Sequence, residues 1–305
     1  MTHLAPLDAQ LQTILEGLAR RNALRLFANP IAELRQAPPP GLSPVAVGAV
    51  RDAIATAQGL TVPVRIYWPD SEGPHVTVVF FHGGGFVLGS IERYDDAARR
   101  LCRALDGVVV SVGYRLAPEH PFPAAYEDGL AATLWALENS ANLGVGAVTV
   151  AGESAGGNIA ACVAIMARDL GLQLAGQLLI VPGTDMTREL SDTHDNPILT
   201  AADLVDSKRY FMGERMAEVS SFPPSPLLAP DHRSVAPAVI AVAGHDPLRE
   251  EGVAYARKLQ AAGVEVVLLQ FDTMFHPFLG FASVATGPER AVQEICAAFK
   301  ATIPI

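Results

Sequence analysis

Two glycine-rich turns, each closing a run of strand character, limit what this chain can fold into more than any other feature. Val76-Thr77-Val78-Val79-Phe80-Phe81 runs into His82-Gly83-Gly84-Gly85-Phe86. Ala147-Val148-Thr149-Val150-Ala151 runs into Gly152-Glu153-Ser154-Ala155-Gly156-Gly157. A Gly-x-Ser-x-Gly match alone is weak, because small residues recur by chance. Here it lies between an apolar strand and an Ala/Ile/Met-rich stretch over 158–168 that reads as a helix. Glycines on both sides of Ser154 permit a strained turn that lifts its hydroxyl above a sheet. With a second loop of bare backbone N–H groups, that is equipment for acyl transfer. A phosphate cradle is the competing reading of Gly83–Gly85. It fails for want of a following Lys-Ser/Thr or a Gly-x-Gly-x-x-Gly pattern.

From about residue 47, short β-branched runs alternate with Ala/Leu/Arg-rich helical stretches. Strands are expected at Thr61–Trp68, Val76–Phe81, Gly107–Tyr114, Ala147–Ala151, Gln177–Val181, Ala238–Ala243 and Val264–Phe271. Helices are expected over 92–105, 125–140, 155–170, 250–262 and 287–299. This alternation implies an α/β class, with a mostly parallel sheet covered on both faces. Such sheets bind ligands outside the carboxyl ends of their strands. With 50% apolar residues, a chain of 305 residues can bury one large core.

Two segments stand apart. In residues 7–28, Leu7, Leu11, Ile14, Leu15 and Leu18 share one helical face, which suits a helix packed on the body or a lid element. Pro38-Pro39-Pro40-Gly41 then reads as a linker. Residues 186–222 are polar and interrupt the alternation; Thr200 and Asp203 make a capping box for a helix near 201–212. This insertion is a candidate cap, with Tyr210, Phe211 and Met212 facing a site or filling a small core of their own. The organisation is therefore 1–45 as an N-terminal helical segment, 46–185 with 223–305 as the α/β body, and 186–222 as the insertion.

Charge and composition exclude several classes. A net charge of −10 argues against nucleic-acid and anionic-membrane partners, whose phosphates it would repel. Cys102, Cys162 and Cys296 are odd in number and far apart, so buried thiols are expected rather than a disulfide framework or a metal site. No run approaches the ~18 apolar residues of a membrane span. The N-terminus has no basic region followed by an apolar one, so a cytoplasmic location is expected.

A serine hydroxyl needs a base within hydrogen-bond reach, and the base needs an orienting acid. In the strand–turn–helix arrangement the chain order is Ser, then Asp or Glu, then His. Of eight histidines, only His276 lies beyond the last expected strand. The strand before it runs into Gly244-His245-Asp246-Pro247, which puts Asp246 in the acid position. Asp185 is the runner-up acid. Asp272 is close in sequence to His276, and His276 could alternatively be a surface loop residue. An oxyanion wants two or three N–H donors, for which Gly83, Gly84 and Ala155 are the candidates.

His82–Gly85, Gly152–Gly156, Tyr114-Arg115-Leu116-Ala117-Pro118-Glu119 and Asp246-Pro247-Leu248-Arg249 together resemble the bacterial hormone-sensitive-lipase-like carboxylesterases, from about Val64 onward. The resemblance implies an α/β-hydrolase core with a helical cap made by the N-terminal segment and the 186–222 insertion. It implies hydrolysis of short-to-medium-chain acyl esters, with Ser154, Asp246 and His276 as triad and no metal or organic cofactor. An amidase or deacetylase using the same residues is the nearer alternative. A non-catalytic small-molecule receptor is the farther one, although such receptors lack the histidine. Three departures stand out: Pro277-Phe278 where the family has Gly-Phe, His245 before the acid, and Glu153 before the serine. Proline restricts His276; Glu153 reads as a buttress. Arg115 is expected to pair with Glu119 or Asp128, and Pro118 and Pro123 to follow cis bonds. Phe86, Phe211 and Phe281 are candidate pocket residues. The last strand could pair across a homodimer edge.

Overall fold

The computed structural model describes residues 5–20, 25–27, 29–36, 44–189 and 197–303. The Pro38–Gly41 linker lies outside them. The elements in chain order are α1 (Ala9–Ala19), α2 (Ile31–Gln36), β1 (Ala49–Ala57), β2 (Leu60–Trp68), β3 (His75–Phe81), α3 (Asp95–Leu105) and β4 (Val108–Val112). Then come α4 (Ala124–Glu138), α5 (Ser140–Leu143), β5 (Val145–Glu153), α6 (Ala155–Asp169), β6 (Gln177–Ile180) and α7 (Ala201–Met212). The chain ends with β7 (Ala238–His245), α8 (Arg249–Ala261), β8 (Val266–Phe275) and α9 (Thr286–Thr302).

The strands form one sheet in the order β1-β2-β4-β3-β5-β6-β7-β8. The β1–β2 and β2–β4 pairs are antiparallel and all later pairs are parallel. Period-two alternation divides each strand between two cores. Val79, Phe81, Val108, Val110 and Val112 meet α4, α6 and α8 on one face. Val78, Phe80 and Val109 meet α1, α3 and α9 on the other. The sheet interior is therefore apolar on both sides, and β4 is buried at every position.

Two findings differ from the sequence expectation. Strand β1 was not expected, because it is an Ala-rich edge strand exposed along most of its length. Its signal is the Gln58-Gly59 pair, both at positive φ (50° and 77°), which closes a hairpin to β2. The N-terminal helix is shorter than 7–28 and lies on the body. Asp8 accepts N–H bonds from Gln10 and Leu11, and Leu11 and Leu15 bury into the α3/α9 side. The capping box at Thr200 starts α7 where expected.

The carboxyl ends of β3, β5, β7 and β8 deliver the Gly83 loop, Ser154, Asp246 and His276 to one edge of the sheet. The β5–α6 junction is the tightest point. A Cβ on Gly156 would overlap the Phe81 carbonyl oxygen and lie 2.5 Å from that of His82. Both obstacles are backbone, which cannot swing aside. Gly156→Ala is thus expected to destabilise by at least the ~1–3 kcal/mol of core overpacking. Urea denaturation measures it, and a variant of unchanged stability would contradict this close approach.

Candidate active site

Ser154 sits between β5 and α6 at φ 57°, ψ −118°, with its N–H donating to the Ile180 carbonyl at 2.9 Å. Its hydroxyl donates to His276 Nε2 at 2.8 Å. His276 Nδ1 donates to Asp246 Oδ2 at 3.0 Å. The other Asp246 oxygen accepts the Leu248 N–H at 2.8 Å, which fixes the carboxylate plane. His276 and Asp246 are 3% and 6% exposed, so water competes little for these bonds. Strand β8 runs four residues past its expected end and carries His276 to this point.

The other acids are engaged elsewhere. Asp185 accepts from the N–H and hydroxyl of Thr187 (2.8 and 2.6 Å). Asp272 pairs with Arg249 at 2.7 Å. His245 bonds the Ala5 carbonyl through Nε2 and takes no part in the relay. The His276–Pro277 bond is cis, as are those before Pro118, Pro123 and Pro223.

Gly83, Gly84, Gly85 and Ala155 all line the cavity in front of Ser154. Among the described residues, the amides of Gly84, Gly85 and Ala155 have no protein acceptor. The Tyr94 hydroxyl lies close beside Gly83. Gly85 is therefore a further donor candidate, beside Gly83, Gly84 and Ala155.

Residues 78–280 match the family described as the alpha/beta hydrolase fold. The chain is similar to the carboxylesterase NlhH of Mycobacterium tuberculosis, 41% identical over 283 residues, 88% of this chain and 87% of that protein. Esterase LipI of the same organism is 41% identical over 243 residues, 76% of this chain and 75% of that protein. Among solved structures, the hyperthermophilic esterase of Pyrobaculum calidifontis has a TM-score of 0.86 at 34% identity, covering 97% of this chain and 99% of that chain. The chain belongs to the α/β-hydrolase-fold family, in its hormone-sensitive-lipase-like carboxylesterase branch.

In this α/β-hydrolase the Ser154 turn and the glycine loop share a buried support. Glu153 accepts the Tyr94 hydroxyl at 3.0 Å and the Leu279 N–H at 3.0 Å. Burial pushes its carboxyl above the ordinary glutamate range, against the pull of His276, Tyr94 and Leu279. His82 is buried, stacks on Tyr114 at 4.3 Å, and donates from Nδ1 to the Gly83 carbonyl at 2.8 Å. Burial lowers its pKa to about 4, so it braces the loop as a neutral ring. Arg115 pairs with Asp128 and Glu127, whereas Glu119 is held by Arg35 of α2.

The cavity holds about 400 Å³ and is largely apolar, with Leu26, Leu34, Leu88, Met186 and Leu199 among its walls. Phe86 lines it. Phe211 does not: it lies fully buried behind Phe86, ring on ring. Phe281 packs edge-on against Phe275 instead, at 5.1 Å. Arg25, Leu26 and Leu34 of the N-terminal segment and Ile198, Leu199, Leu204, Val205, Ser207 and Lys208 of the insertion reach the same cavity. No helix among the described residues is long and apolar enough to cross a membrane.

Glu251 also lines this cavity, accepting the Thr184 N–H at 3.0 Å. Burial drives its pKa well above 4.5, aided by Asp185 and Asp246 and opposed by the Thr184 amide and Arg188. The folded state therefore holds a proton that the unfolded chain releases, and stability falls as pH rises from 4.5 through the folded value. Glu251→Gln keeps an acceptor for Thr184 and removes the titration. Its stability relative to the natural protein is expected to climb from about pH 5 to about pH 8 in urea denaturation. A pH-independent difference would show that Glu251 ionises normally.

Proposed function

We propose that this carboxylic ester hydrolase cleaves short-to-medium-chain acyl esters through a Ser154–His276–Asp246 triad and an acyl-enzyme. The observation that carries the reading is the continuous hydrogen-bonded relay from Ser154 Oγ through both ring nitrogens of His276 to Asp246. Ser154 attacks the ester carbonyl while His276 Nε2 takes the hydroxyl proton. Asp246 keeps the proton on Nδ1 and stabilises the imidazolium. The amides of Gly84, Gly85 and Ala155 receive the oxyanion, favoured by the N-terminus of α6. His276 then protonates the departing alcohol. Water attacks the acyl group with His276 as base, and Ser154 regains its proton.

The largely apolar cavity in front of Ser154 suits an acyl group as its occupant. The N-terminal segment around Leu26 and Leu34 and the 186–222 insertion around α7 act as the cap, and α1 serves as its anchor on the body. A small-molecule receptor on this fold has no use for an imidazole bonded to the serine, so the relay favours the enzyme.

Aryl esters from acetate to palmitate test the reading. The rate is expected to peak at short-to-medium chains and fall at palmitate. Ser154→Ala is expected to lose on the order of 10⁴-fold or more in kcat. A fluorophosphonate should label Ser154 in the natural protein alone. Asp246→Asn, which favours the wrong tautomer, is expected to cost on the order of 10⁴-fold. Undiminished turnover by Ser154→Ala would falsify the nucleophile assignment.

A further inference from the structure

Helix α7 carries a stripe that the ester-hydrolysis reading leaves unused. Asp203, Ser207 and Phe211 fall four residues apart on one helix face, and all three are buried. At the first position Asp203 closes the capping box with Thr200 and also accepts from Arg25 (3.3 Å) and from the Phe27 N–H (3.4 Å). One turn on, Ser207 packs directly over Gly85, where a Cβ would overlap its hydroxyl oxygen. That hydroxyl is buried without a hydrogen-bond partner among the described residues, so the contact is one of packing. At the next turn the Phe211 ring stacks on Phe86, with centroids 3.9 Å apart and planes 13° from parallel. Tyr126 and Phe122 hold Phe211 edge-on, and its carbonyl accepts the Phe122 N–H at 2.7 Å.

Phe86 is the residue in need of such support. Gly84, Gly85 and Phe86 have φ of 120°, 62° and 63°. Glycine adopts these values freely, whereas an L side chain there is an outlier that its surroundings must sustain. The Ala117 N–H secures the Phe86 carbonyl at 2.9 Å, and the Phe211 ring secures its side chain. Releasing Phe86 would let the loop relax toward negative φ and swing the adjoining amides.

We propose that Phe211, braced with Ser207 on α7, is a positioning residue: it keeps Phe86 left-handed and so holds the Gly84 and Gly85 amides where the oxyanion forms. The inference rests on the ester-hydrolysis reading of the site. It makes the cap helix part of the catalytic alignment as well as a cover.

A double-mutant cycle on one short-chain aryl ester tests it. Phe211→Ala is expected to lower kcat at least about tenfold, short of the 10²–10³ that a lost oxyanion donor costs, with KM changed less than about threefold. Phe86→Gly supplies the positive φ without support, so in that background Phe211→Ala is expected to cost less than about threefold in kcat. Phe211→Leu keeps apolar bulk without the ring stack and runs the same cycle if the alanine variant does not fold. An equal kcat cost in both backgrounds, or a loss confined to KM or to thermal stability, overturns the positioning role. Ser154→Ala separates the two readings. If it stays active, the site assignment itself fails; if it is dead and the cycle is additive, only the role of Phe211 fails.

Discussion

The backbone of Ser154 is the constraint on which the site depends. A non-glycine residue at φ 57° and ψ −118° costs on the order of 1–3 kcal/mol, and it persists only where its neighbours leave no alternative. The Ser154 N–H is tied to Ile180, and its carbonyl accepts from Asn158. The start of α6 is pressed onto the end of β3 through Gly156. Asn158 then bonds Tyr126 on one side and the Gly183 and Pro224 carbonyls on the other, which ties α6 to α4 and to the segments beyond β6. With the hydroxyl fixed in this way, β3 brings amides to one side of it and β7 and β8 bring acid and base to the other.

The order of these parts was legible in the sequence because each follows a strand. Alternating runs locate the strands, and parallel packing puts their carboxyl ends together. Chain order therefore singles out Ser154, Asp246 and His276 as candidates from a chain with 32 acidic residues and eight histidines, and the fold brings these three within hydrogen-bond reach. Thr200 and Asp203 marked the start of α7 for an equally local reason: both halves of a capping box lie within one turn.

What stayed hidden depends on contacts between distant segments. Whether Phe211 faces the cavity or backs Phe86 turns on how α7 docks, which its own composition does not encode. Arg115 had two acids nearby in sequence, and Glu119 was taken by Arg35, more than 80 residues upstream. Which amides of the glycine loop face an oxyanion is equally unmarked in the sequence. Three consecutive glycines look alike in sequence, and they differ only in their tertiary neighbours: Tyr94 beside Gly83, Leu88 beside Gly84 and Ser207 beside Gly85. Strand β1 escaped because an exposed Ala-rich edge carries almost no apolar period.

The placement of charge around His276 follows from these same contacts. Two carboxyl groups, Asp246 and Glu153, feel the imidazole, yet only Asp246 bonds it. If Glu153 were also ionised and free, it would compete for the imidazolium and pull the ring off the line between Ser154 and Asp246. Tyr94 and Leu279 hold its oxygens away, and burial favours its neutral form. Tyr94 in turn abuts Gly83, so one buried acid both spares the relay and steadies the loop that faces it. Glu153, next to Ser154, is thus held by Tyr94 and Leu279 and not by the imidazole.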